Sequence, residues 1–132
     1  MKTLINLTLG NVIGLVPILR QIMGKNFKGS VSFQIGRLAR ELDKELKLFE
    51  KERENLIKKY AEKDENGNLI FIEKNVKILD TNAFNYEMQE LLDSDLNINA
   101  EKIDIEVFED IEISPEQAMI LEYIIKEKTP LV

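Results

Sequence analysis

Asp104, Glu106, Glu109, Asp110 and Glu112 place five carboxylates within nine positions of the chain. Carboxylate oxygens bind hard divalent cations, and a pair held across a cleft can hydrolyse glycosides. This run specifies neither chemistry. A dedicated cation site needs converging ligands. Acids alternating with Ile103, Ile105 and Val107 read instead as the solvated face of a half-buried strand, with a bulge or turn at 108–110 where Phe108 breaks the phase. With 24 acids in the chain, a hydrolytic pair can always be found, so such a pair carries no signal. Asp64-Glu65-Asn66-Gly67-Asn68 places oxygens at 64, 66 and 68, like the opening of a calcium loop. Its glycine falls at the fourth loop position instead of the sixth, and the twelfth is Asn75 instead of a bidentate Glu. The stretch reads as a turn.

The rest of the catalytic repertoire is narrow. The chain has no cysteine and no histidine. Thiolate nucleophiles, thiolate zinc sites, disulfides, the commonest general base and the imidazole metal ligand are all excluded. Gly10-Asn11-Val12-Ile13-Gly14 is not a phosphate-binding loop, and no G-x-G-x-x-G occurs. The sequence therefore predicts no catalytic residue, no cofactor and no metal, and a protein that is not an enzyme.

Charge supplies the candidate binding residues. Arg37, Arg40, Lys44, Lys47 and Lys51, with Lys58 and Lys59 beyond them, line one long helical segment and could touch phosphates. Acids are interleaved among them, and the net charge of −6 opposes nucleic-acid binding, so direct contact with nucleic acid is not expected. Residues 1–30 hold four bases and no acid, residues 31–63 nine bases and seven acids, and residues 64–132 five bases and seventeen acids. Such asymmetry can mark a docking face, or two poles of one fold that attract each other. The partner-binding candidates are Arg37, Arg40, Lys44, Lys47 and Lys51 on the basic side, and Asp104, Glu106, Asp110 and Glu112 on the acidic side.

The elements that must position them follow from periodicity. At 132 residues, 44% apolar and 32% charged, the chain suits a single soluble domain. Val12 to Met23 is aliphatic but holds Gly14, Pro17, Arg20 and Gln21, and is far short of the roughly 20 residues of a membrane span. Neither a membrane segment nor a secretory signal is expected, and the segment reads as a core element of a cytoplasmic protein. A short strand is predicted at 3–8. A helix at 9–23 follows, capped by Thr8 and closed by Gly24, with Leu9, Val12, Ile13, Val16, Leu19, Ile22 and Met23 on its apolar side. Pro17 implies a kink or a late start. Ser30 is the expected N-cap of a helix over 31–62, in which Ile35, Leu42, Phe49 and Leu56 recur every seven residues, joined by Leu38, Leu46, Ile57 and Tyr60. A helix of this length is about 48 Å long, against a domain diameter of about 28 Å, so one end projects or packs on a partner. Asn66-Gly67 marks a turn, and short strands follow at 69–72 and 76–79. Thr81 or Asn82 caps a helix over 82–93 with Phe84, Met88, Leu91 and Leu92 inward. Ser114, Pro115 and Gln117 open a final helix that runs to about Glu127, before Pro130. The predicted class is α+β: one long central helix, three shorter helices and a small, mostly antiparallel sheet.

The segment Leu42-Asp43-Lys44-Glu45-Leu46-Lys47-Leu48-Phe49-Glu50-Lys51-Glu52-Arg53-Glu54-Asn55-Leu56-Ile57-Lys58-Lys59-Tyr60, followed by Ala61 to Asn68, resembles small phage and prophage proteins of low-GC Gram-positive bacteria. These have a long helix ending in R-x-x-L-I-K-K-Y, an acidic glycine turn, a middle helix like Phe84–Leu92 and a late helix start like Ile113-Ser114-Pro115. The likeness in element order spans residues 30–125. It implies a phage origin, a host-cell cytoplasmic location and a non-enzymatic accessory or assembly role, and it transfers no site residue. The expected partners are a second copy of the chain, in a homo-oligomer, or a phage or host protein. The alternative is a phage-encoded inhibitor of a host defence or nucleic-acid-binding protein. It would present its acidic surface to a basic groove in place of a phosphate backbone, or sequester a small signalling ligand.

Overall fold

The computed structural model describes residues 4–126. Among them the elements run β1 (Ile5–Thr8), α1 (Leu9–Ile22), α2 (Gly29–Tyr60), β2 (Phe71–Ile72), β3 (Asn75–Val76), α3 (Thr81–Leu92), β4 (Asp95–Ile98), β5 (Ile103–Asp104), α4 (Pro115–Leu121) and β6 (Ile125–Lys126). The class is α+β, with one long helix and three shorter ones. The strands form three separate pairs: β1 with β4 and β2 with β3 antiparallel, and β5 with β6 parallel.

Local chemistry fixes most element starts. Thr8 accepts from the Asn11 N–H while the Asn11 side chain accepts from the Thr8 N–H, a reciprocal cap that opens α1. Ser114 and Gln117 do the same for α4, with Pro115 at the first helical position. Other starts and ends differ from expectation. The helix over Leu9–Ile22 begins before Pro17, which sits exposed inside it. Gly24 is not its left-handed terminator: Met23 closes the helix in right-handed geometry, and the one glycine with positive φ is Gly67, among the described residues. Ser30 does not cap α2. The helix begins at Gly29, Lys28 holds the cap position without a side-chain hydrogen bond, and Ala61 follows the last turn, so the helix spans 29–60 and not 31–62. Asp80, one residue before the predicted caps, accepts from the Ala83 N–H and opens α3.

The acidic strand is the largest correction. After Ile103 and Asp104 the backbone closes into a 3-10 turn over Ile105–Phe108, so the alternation of 103–107 does not persist as a strand. Ile103 and Phe108 are buried while Ile105 is exposed. The reason is packing: a short turn brings the Phe108 ring edge-on to Phe27, with centroids 6.2 Å apart. The final helix also stops early. α4 ends at Leu121, a second 3-10 turn covers Glu122–Ile124, and β6 then pairs with β5. Thr3, Glu127 and Pro130 lie outside the described residues.

One core cluster holds the molecule together. α1 contributes Val12, Leu15, Leu19 and Ile22, α2 contributes Ile35, Leu38 and Leu42, and Ile5, Ile98, Ile103, Leu121 and Ile124 close it. Leu15 joins this core, whereas Met23, expected inside, is exposed. Arg20 binds Asp43 at 3.0 Å and Gln117 donates to Gln21, fastening α1 to α2 and to α4. Beyond Leu46, α2 leaves this core. Phe49, Leu56, Ile57 and Tyr60 are only half-buried. α3 lies against this part of α2, with Tyr60 edge-on to Phe84 at 6.3 Å, and together with the β2–β3 ribbon it forms an arm in which, between residues 47 and 95, the one buried apolar residue is Ala61.

Candidate functional site

Two surfaces contain the predicted binding residues. On α2, Arg37, Arg40, Lys44, Lys47 and Lys51 are all exposed. Their spacings of three and four residues put them on one helix face, opposite buried Ile35, Leu38 and Leu42. Lys44 pairs with Glu41 at 2.9 Å, and among the described residues the other four make no ion pair. Their acidic counterparts lie along one exposed stretch, in different local settings. Glu106 and Asp110 line a cleft of about 360 Å³ with Glu109, Asn26, Lys28 and Val31, at the start of α2. Asp104 stands in register with Lys126 in the β5–β6 pair, and Glu112 is exposed in the loop before α4. No group of three or more acidic side chains among the described residues is placed to hold a metal ion. In the 64–68 turn, Asp64 Oδ1 accepts from the Asn66 and Asn68 N–H groups, so this carboxylate serves the turn.

A third surface had no sequence signal. A cleft of about 340 Å³ lies between α2 and α3, lined by Glu52, Leu56, Lys59, Glu87, Glu90 and Leu91 among others. Lys59 Nζ bonds Glu87 Oε1 at 2.8 Å and lies 5.2 Å from the Tyr60 ring centroid. The Lys59 ammonium, then the Tyr60 hydroxyl, hold the Glu87 carboxyl below its ordinary value. Glu87 in turn raises Lys59. Partial burial first, then the same carboxylate, raises Tyr60. A hydrogen bond to Glu90 raises Tyr86. Each of these shifts moves the group further from neutral pH. The Lys59–Glu87 pair joins the end of α2 to α3.

The fourth surface is apolar. Phe71 and Ile72 are consecutive in β2 and therefore point to opposite faces of the ribbon. They are 58% and 57% exposed, and Leu79, at the ribbon's base, is 67% exposed. Val76, paired with Phe71, is half-buried, so Phe71 and Ile72 are the exposed apolar residues of the ribbon itself. The ribbon is tied to the end of α2 through backbone bonds from Glu62 to Lys77 and from Leu79 to Tyr60, and by a Lys77–Glu62 ion pair at 2.6 Å. Adjacent apolar residues inside a two-residue strand were the available signal for such a ribbon, since a one-sided strand would alternate.

No helix among the described residues is long and apolar enough to cross a membrane. Compared with known proteins, the chain matches no protein-family model, no curated protein and no solved structure.

Proposed function

We propose that this chain is a non-catalytic accessory or assembly protein of phage origin that works by contact with other protein surfaces, and that the arm beyond Leu46 is the part that makes the contact. The phage origin rests on the resemblance carried by residues 42–68. The contact function rests on one observation: an arm with a single buried apolar residue, Ala61, presents Leu48, Phe71, Ile72 and Leu79 to solvent. Residues 61–63 support the ribbon through backbone bonds to both of its strands, but nothing among the described residues buries Phe71, Ile72 or Leu79, and exposed apolar side chains gain by being covered. A second copy of the chain and a phage or host protein are both suitable occupants.

Photo-crosslinking residues placed at Phe71 or Leu79 of the full chain, in cells that express it, test this reading. Discrete protein adducts are expected from both positions and not from exposed, polar Glu65. Adducts absent from both apolar positions would contradict it.

A further inference from the structure

The outer face of α2 carries a basic ridge. Arg37, Arg40, Lys44, Lys47, Lys51 and Lys58 follow one another at spacings of three, four, three, four and seven residues, and all are exposed. At 1.5 Å per residue the ridge is about 32 Å long. Glu41, paired with Lys44, and the opposite charges four apart at Asp43/Lys47 and Glu54/Lys58 offset the like-charge repulsion along it. The ridge is not purely basic. Phe33, at the same spacing and 70% exposed, begins it, and exposed Leu48 lies alongside. Acids flank it on both sides, with Glu41, Glu45 and Glu52 on one edge and Asp43, Glu50 and Glu54 on the other.

The complementary surface is on the same chain. Glu101, Asp104, Glu109, Asp110 and Glu112 are exposed along 101–112, with exposed Ile105 among them and Lys102 and Lys126 at the margin. This belt does not reach the middle or the far end of the ridge of its own molecule. The Gln34 side chain donates to the Lys102 carbonyl, and Val31 shares a cleft with Glu109 and Asp110, so the belt is fixed against the first turns of α2. The middle of the ridge lies about 20 Å further along a rigid helix.

We infer that the basic ridge of α2 docks the acidic 101–112 belt of a second copy of the chain. The inference rests on the contact-based function proposed above and names one of its partners. Charge complementarity and the mixed character of both surfaces favour a second copy over a phosphate backbone. A phosphate backbone is uniformly negative, would be repelled by both acidic edges, and would leave Phe33 and Leu48 uncovered. A protein surface carrying acids, Ile105 and two lysines can meet all three. Because ridge and belt are different patches, the contact is heterologous unless two copies reciprocate it about a two-fold axis.

Sedimentation equilibrium of the full chain tests this. Exposed charge pairs are screened by salt, so the association constant should fall about tenfold or more between about 0.05 M and about 0.5 M salt. The variant Lys44→Glu/Lys47→Glu/Lys51→Glu and the variant Glu109→Lys/Asp110→Lys/Glu112→Lys should each lose association alone. Mixed in equal amounts they should regain it, because a reversed ridge then meets a reversed belt. Circular dichroism checks that each is folded, and Lys44→Gln/Lys47→Gln/Lys51→Gln gives the same loss where a reversed ridge fails that check. Unchanged association in either variant, or a mixture no stronger than its parts, overturns the docking while the crosslinking from Phe71 and Leu79 still judges the contact function separately. A monomeric parent chain also overturns it, as does a monomer whose ridge holds duplex DNA in a salt-dependent way.

Discussion

Lys59 Nζ meets Glu87 Oε1 at 2.8 Å, across 28 residues of sequence, and joins the far end of α2 to α3. Both partners are shifted toward their charged forms, which sets the pH dependence of the arm. Glu87 is lowered in the fold, so its contribution is full above the ordinary value of 4.5 and is lost as the pH falls through the folded value. Lys59 is raised, so its contribution is full below 10.5 and is lost as the pH rises through the folded value. Tyr60 is raised as well, by partial burial first and then by Glu87, and ionises on the same alkaline limb. Glu87→Gln is therefore expected to flatten both limbs of the curve of unfolding midpoint against pH. A variant curve that parallels the parent would show that the pair contributes nothing.

The two halves of α2 should respond differently to truncation. Leu42 is fully buried in the core cluster, so Leu42→Ala should cost about 2–5 kcal/mol in urea unfolding. Leu56 is half-buried in the arm, and Leu56→Ala should cost only about 1 kcal/mol. Equal losses at the two positions would mean that the arm carries a core of its own.

Two helix glycines make different predictions. A Cβ at Gly36 would meet nothing within 4 Å, so Gly36→Ala should stabilise the protein by about 0.5–1 kcal/mol through helix propensity alone. A Cβ at Gly10 would lie 3.3 Å from the Leu92 carbonyl oxygen, where α1 leaves β1 beside the end of α3. The Leu9 N–H bonds the Ser94 carbonyl at the same crossing. Gly10→Ala should therefore gain less than Gly36→Ala in thermal unfolding, because a backbone carbonyl must move to admit the methyl.

Local signals were legible in the sequence and long-range ones were not. Thr8 and Ser114 announce α1 and α4 because a capping hydroxyl and its reciprocal side chain lie three residues apart. The heptad of Ile35 and Leu42 announces α2, but the same heptad continues through Phe49 and Leu56, which are only half-buried because no core reaches them. Periodicity reports which side faces inward, not whether anything is there to meet it. The acidic stretch failed for the converse reason. Ile103-Asp104-Ile105-Glu106-Val107 alternates as a strand should, yet the pairing of β5 with β6 ends at Asp104, and Phe108 is drawn into the core by a 3-10 turn. The basic residues were found by type, while their alignment into one face depended on α2 remaining unbroken from Gly29 to Tyr60. Lys59 with Glu87 had no signal, since the pair is made by two helices meeting in space.

The central claim is that Phe71, Ile72 and Leu79 serve a contact and not the fold. The most direct measurement is the adduct yield from a photo-crosslinker at Leu79 in Phe71→Ser/Ile72→Ser, set beside the unfolding free energy of the same variant. Exposed positions contribute little to stability, so unfolding should change by no more than about 0.5 kcal/mol while the adduct falls about tenfold or more. A variant that unfolds readily yet still yields the parent's adduct would contradict the claim.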